Sequence, residues 1–265
     1  MIEWIIFALI GVLSGLSSGL LGLGGGVIIV PALLMVFAWQ GLLGPHLMHM
    51  AITTSLMTII VTSTTSAYSH HKHGNIDWHL VSKLIPGLVL GGLLGAALAT
   101  QLSSQFLQQF FALYLLFAAI KMWLPNPSTV HRYLLNKSVL IGFGSIVGGI
   151  SSLVGIGGGT LVVPYLVMAN QPIQRAIGIS ATCGLPIAIS AVAGFIIFGQ
   201  EQEGSTMTSG AGFIHWTAFW GIISTSSIFA IVGVELAKKL PMERLKQIFS
   251  TVLLVSSVYL AIFKF

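Results

Sequence analysis

Two glycine runs hold most of what this chain could do chemically. Gly15 to Leu33 reads GLSSGLLGLGGGVIIVPAL and Gly148 to Leu166 reads GGISSLVGIGGGTLVVPYL, identical at ten of nineteen positions with no gap. Each glycine costs an apolar helix roughly 1 kcal/mol relative to alanine, so both runs predict a helix break, with a new helix starting at VIIVP and at TLVVP. A helix N-terminus carries free N–H groups and about half a positive charge, which makes it an anion site that needs no Lys or Arg inside a membrane. Two such ends meeting across a pseudo-two-fold axis would bracket one small anion. Gly24, Gly25, Gly26, Gly157, Gly158 and Gly159 would supply backbone, and Ser18 and Ser151 would supply hydroxyls. The competing explanation is close helix packing through small residues. Triple glycines, duplicated and followed by the matched Pro31 and Pro164, favour the site, because paired breaks in corresponding halves point to a transporter binding site.

A second polar set lies downstream. Thr54, Thr58, Thr62 and Ser66 recur every fourth residue on one helix face, and Ser55 is matched by Ser180. Around Ser180 the sequence runs through Thr182, Cys183, Gly184 and Pro186, where glycine and proline are expected to loosen the helix. Most membrane hydroxyls bond back to their own helix. The subset nearest the matched serines, Thr54, Ser55, Thr58, Ser180, Thr182 and Cys183, completes the candidate substrate-binding set, with Cys183 read foremost as a small buried hydrophobe.

Other chemistries are disfavoured. Gly15 to Gly19 fits GxSxG, but a nucleophile elbow needs a strand, a turn and a helix, and Ile150 stands where Ser17 does. The glycine run lacks the third glycine of a dinucleotide fingerprint and any sheet to support one. His70, His71 and His73 flank Lys72 and read as a polar boundary ahead of a metal cluster. Asp77, Glu201, Glu203 and Glu243 fall in loops or at helix ends, Glu3 near the start, and Glu235 one turn before Lys238 and Lys239. A cation pump or channel would need a carboxylate at membrane depth. An anion carrier using backbone dipoles needs none. No catalytic residue, metal or cofactor is expected.

The elements that must position these groups are membrane helices. The 265 residues are 55% hydrophobic and 6% charged, with mean hydropathy +0.96, far from the ~25% charged content of a soluble domain. Runs of about twenty apolar residues exclude a β-barrel. MIEWIIFALIGVL lacks a basic leader region and reads as a first span. Apolar segments fall at about 3–22, 27–39, 47–69, 80–100 and 105–124, and again at 138–155, 160–169, 176–199, 214–237 and 245–263. The expected fold is therefore an all-α polytopic membrane protein of eight to ten spans. It has a first membrane repeat at 1–124, a cytoplasmic linker at 125–137 and a second repeat at 138–265. The segments after the glycines are short enough either to cross or to re-enter.

Basic residues are retained in the cytoplasm. Placing the HHKHG loop inside puts Lys72, Lys83, Lys121, Arg132, Lys137, Arg175, Lys238, Lys239, Arg244 and Lys246 there, with Lys264 the exception, and leaves QEQEG and both termini outside. Equivalent loops then lie on opposite sides, so the repeats are inverted. The net charge of +5 is thus topological and implies no nucleic-acid partner.

The paired glycine segments ending in V-P-x-L, the A-I-x-x-S segments at Ala51 and Ala176, and G-x-I-D-W at Gly74 to Trp78 resemble the sulfite exporter TauE/SafE family of membrane permeases. The resemblance implies a multi-pass inner-membrane carrier of a small anion, a sulfur oxyanion or organosulfonate, bound between the glycine breaks. The segments at Thr53 to Ser55 and Ile179 to Ser180 depart from the usual G-T-S pattern. An anion channel and an intramembrane enzyme are the alternatives. The anion, the direction of transport, the coupling ion (proton or sodium) and the oligomeric state are left open.

Overall fold

A computed structural model describes residues 2–42, 44–123, 136–199, 213–237 and 242–262. Among them the chain forms ten α-helices: α1 (Ile2–Leu21), α2 (Gly26–Trp39), α3 (Leu47–Lys72), α4 (Trp78–Gln101), α5 (Ser104–Trp123), α6 (Lys137–Val154), α7 (Gly159–Met168), α8 (Ile173–Phe198), α9 (Trp216–Ala237) and α10 (Met242–Ile262). Each coincides with one apolar segment of the sequence. Linker residues 124–135, the QEQEG loop, residues 238–241 and Lys264 lie outside the described residues.

The helices stop where their sequences require it. Gly22, Gly24 and Gly25 take positive φ between α1 and α2, and Gly155 and Gly158 do so between α6 and α7, a conformation open to glycine at little cost. Asp77 caps α4, its carboxylate accepting from the His79 and Leu80 amides at 3.0 and 3.2 Å, the role Asp favours at an N-cap.

The loosening expected at Gly184 and Pro186 is confined to one carbonyl. Gly184 and Pro186 do not open α8, which runs unbroken from Ile173 to Phe198. Pro186 has no N–H, so one carbonyl, that of Thr182, loses its in-helix donor, while Gly184 lets α8 close on Ser63 and on the Gly157 carbonyl.

Six helices (α1, α3, α4, α6, α8 and α9) are long and apolar enough to cross a membrane. With 14 and 10 residues, α2 and α7 reach only about 21 and 15 Å, short of a ~30 Å hydrocarbon core. The most extensive pairings, α1 with α9, α4 with α6, α4 with α8, α3 with α8 and α5 with α10, all join the first half of the chain to the second. Small residues permit it. Gly11, Gly15 and Gly19 lie against Ile222, Ser226 and Ala230, and Gly87, Gly91 and Gly95 against Ile141, Ser145 and Gly149. In a bilayer, where lipid is as apolar as leucine, such backbone approach drives helix association. The halves therefore interlock, and neither builds a bundle of its own.

Candidate functional site

The two breaks meet at the centre of this interlocked bundle. Gly24 and Gly157 stand face to face, and Ile59 of α3, fully buried, packs against both of them. A side chain on Gly26 would run into the Gly155 carbonyl, and one on Gly159 into the Gly22 carbonyl. The same two carbonyls are held from the opposite half by the matched serines. Ser55 Oγ donates to Gly155 O at 2.8 Å, and Ser180 Oγ donates to Gly22 O at 3.0 Å. Apart from Ile59, each of these contacts has a reciprocal partner, the pattern a two-fold relation produces.

This geometry reassigns several sequence candidates. Ser55 and Ser180 spend their single protons on carbonyls and so brace the breaks, leaving no O–H to offer an anion. Thr58 donates to Ser55 O at 2.7 Å. Thr54 accepts from the His215 amide at 2.9 Å, which ties α3 to the start of α9. Thr182 bonds back to Gly178 O at 2.8 Å, and Cys183 is buried among the aliphatic side chains of α4, α6 and α7. The structure gathers Ser18, Ser55, Ser151, Ser180 and the six glycines at one crossing. Thr54, Thr182 and Cys183 lie apart from it.

Ser18 and Ser151 are bonded differently from Ser55 and Ser180, and share a buried, unpartnered hydroxyl with Ser63, Ser226 and Ser250. Both are buried, and neither hydroxyl has a hydrogen-bond partner among the described residues. Ser151 Oγ lies 3.5 Å from the point a Gly158 Cβ would occupy, beside the N-cap of α7. The first backbone bonds of α2 come from Ile28 and Ile29 to Gly25 O, and those of α7 from Leu161 and Val162 to Gly158 O. The amides ahead of them are the orphan donors that a helix start leaves. An unpaired buried hydroxyl is expensive, and one beside a positive helix end is placed to donate to an anion.

Because Gly24 and Gly157 are in contact, no anion fits between the two breaks in this conformation. The start of α7 stands beside Ser151 of α6, whereas the start of α2 stands beside Ser14 of α1, whose hydroxyl donates to Gly11 O at 3.1 Å.

Three features went unnoticed in the sequence. Thr62 donates to Gly24 O and Ser66 to Ser18 O, each at 3.3 Å; both stood on the polar face of α3 but had no matched counterpart to single them out. Thr160, at the position of Val27 in the first repeat, meets the Tyr114 hydroxyl of α5. That substitution is a signal in the sequence that the two helix starts differ.

Comparison with known proteins agrees with this architecture. The family model described as sulfite exporter TauE/SafE matches residues 7–260. A Haemophilus influenzae "probable membrane transporter protein" is 34% identical over 252 residues, covering 94% of this chain and 95% of that protein. The Methanocaldococcus jannaschii "probable membrane transporter protein MJ0441" is 27% identical, covering 73% of this chain and 71% of that protein. The Bacillus subtilis "probable membrane transporter protein YunE" is 23% identical, covering 96% and 95%. No solved structure matches the chain.

Proposed function

The chain belongs to the sulfite exporter TauE/SafE family, and from that premise we propose that it is a secondary carrier of a small anion, a sulfur oxyanion or organosulfonate, acting in the inner membrane. The relatives' names support a membrane transporter. The observation that carries the anion reading is the matched pair of buried, unpartnered hydroxyls, Ser18 and Ser151, on the two helices that run into the glycine breaks, with Ser151 beside the start of α7. Donors without an ionised side chain suit a substrate that must be released as readily as it is bound, since a Lys or Arg at membrane depth would hold an anion strongly.

Transport on this reading separates the Gly24–Gly157 contact and exposes the two helix starts, one half-site each, in turn to the two sides of the membrane. Inverted repeats, the arrangement the charge distribution favours, would supply two equivalent arrangements for that exchange.

The test is flux in liposomes containing the purified protein. Labelled sulfite, short organosulfonates and short carboxylates are offered with and without proton or sodium gradients. The expected result is saturable flux of a sulfur anion with counterflow of unlabelled substrate. Flux that rises linearly with concentration and shows no counterflow would indicate a channel, and absence of saturable flux for every anion would refute the proposal.

A further inference from the structure

Away from the glycine crossing, α3, α4 and α8 leave a groove of about 420 Å3 open on the outer surface of the bundle. Three stripes at helical spacing form its walls: Thr64 and Tyr68 on α3, Trp78 and Ile85 on α4, Thr182 and Pro186 on α8. The two threonines contribute methyl groups, because their hydroxyls bond back to Ile60 O and Gly178 O at 2.6 and 2.8 Å. Except for His71 at one end, the lining is thus apolar and offers nothing to a small anion. Tyr68, Trp78 and Ile85 are all exposed, so in a membrane the groove faces lipid.

One end of the groove differs in character. His71 Nδ1 accepts from Trp78 Nε1 at 3.3 Å, and Lys72, the residue after His71 and one turn beyond Tyr68, holds its ammonium 4.7 Å from the Tyr68 ring centroid. Glu235, the carboxylate that approaches this turn, is paired with His73 Nε2 at 3.0 Å. From Thr64 to His71 the groove runs about 10 Å, most of the ~15 Å hydrocarbon depth of one leaflet. Trp and Tyr mark the membrane–water boundary, so the lysine stands at headgroup level. An acyl-length apolar channel ending at an interfacial cation matches an amphiphile with one anionic head.

We propose that this groove is a binding site for one anionic phospholipid, its acyl chain lying between α3 and α8 and its phosphate at Lys72. The lipid covers the stretch of α8 that carries the proline and, two residues before Thr182, the Ser180 brace. Occupancy therefore stabilises the stretch of α8 that braces the first break at Gly22.

The full-length protein, delipidated in detergent, is titrated with phosphatidylglycerol or phosphatidylcholine of identical acyl chains. Bound copies are counted by native mass spectrometry, and melting is followed in parallel. One retained phosphatidylglycerol, with a melting temperature several degrees above that in phosphatidylcholine, is expected. Lys72→Gln should erase the difference between the two lipids, and Ile189→Trp, at an exposed position on the groove wall, should expel both. Equal retention of the two lipids by the wild type, an unchanged preference in Lys72→Gln, or full retention in a folded Ile189→Trp overturns the proposal. Protection by soluble glycerol phosphate also overturns it, because the loop alone would then be the site.

Discussion

Gly24 and Gly157 touch at the middle of the bundle: a Cβ built on Gly24 lies 3.0 Å from the Cα of Gly157, and one built on Gly157 lies 3.1 Å from the Cα of Gly24. Backbone atoms cannot swing aside as a side chain can. The glycine runs therefore serve packing and helix termination together, and the two explanations weighed from sequence describe different residues of the same run. Gly24, Gly26, Gly157 and Gly159 are needed for contact. Gly25 and Gly158 are needed for positive φ at the helix starts.

Gly157→Ala isolates the contact, because Gly157 is not among the positive-φ glycines. It should cost about 1–3 kcal/mol, the usual range for overpacking. Gly24→Ala should cost about 1–2 kcal/mol more, since Gly24 also sits at φ 72°, where a Cβ is strained. Gly142→Ala, with nothing within 4 Å, should be neutral or raise stability by up to ~1 kcal/mol. Denaturant unfolding of the three variants in detergent checks the order.

The bracing serines give a paired prediction. Ser55→Ala and Ser180→Ala each leave a buried glycine carbonyl without its side-chain donor, at a cost of about 1–3 kcal/mol. Similar losses in the two variants are expected, because the bonds are reciprocal. A large loss in one and none in the other would show that the halves carry unequal loads.

All ten helices and both breaks were legible in the sequence, since twenty-residue apolar runs and triple glycines are local signals. The pairing of Ser55 with Gly155, 100 residues away, was not, because a serine in a membrane helix looks the same whether it bonds back to its own turn or across the bundle. Composition around Gly184 and Pro186 suggested a loosened helix. Packing on Ser63 and Gly157 kept α8 intact, which no propensity could show. Ser18 and Ser151 were visible as a matched pair, but only the three-dimensional arrangement distinguishes their idle hydroxyls from the occupied ones of Ser55 and Ser180.

Acidification should weaken the fold through His215. Its ring packs beside Phe37 and Phe7, its Nδ1 accepts from the Ala218 amide at 3.2 Å, and burial holds its pKa below the ordinary 6.5. A proton added to Nδ1 would remove that cap. The unfolded chain takes up the proton near pH 6.5 and the folded chain does not, so stability is level above that pH and falls as pH drops below it. Melting temperature between pH 8 and pH 5 should show this decline, and His215→Asn, which keeps an N-cap acceptor but cannot titrate, should flatten it.

Charge distribution predicts that positions 72 and 203 lie on opposite sides of the membrane, with Lys72 inside. Single cysteines at these positions in a Cys183→Ser background, labelled with an impermeant maleimide in right-side-out vesicles, should react only at 203 before lysis. Reaction at both positions before lysis would refute inverted repeats, and with them the exchange of the half-sites between the two sides.

The anion site is best tested at the serines, because the glycines beside them cannot be changed cleanly. A Gly158 side chain would meet Ile187 Cδ1 at 2.8 Å and Val147 Cγ1 at 3.0 Å on a backbone with φ 77°, so Gly158→Leu should damage the fold whether or not an anion binds there. Ser18→Ala and Ser151→Ala remove hydroxyls that bond nothing in the described protein, so the apo form should keep or slightly gain stability, as expected when an unsatisfied buried polar group is removed. Anion affinity should fall by about 0.5–1.5 kcal/mol, roughly twofold to tenfold, at the half-site whose serine is removed, and the double variant should show that loss at both half-sites. Thr160 and Tyr114 adjoin only the α7 half-site, so a larger effect at Ser151 than at Ser18 would mark that half as dominant. If the double variant keeps wild-type affinity along with wild-type stability, the hydroxyls do not contact the substrate and the helix-start site is wrong.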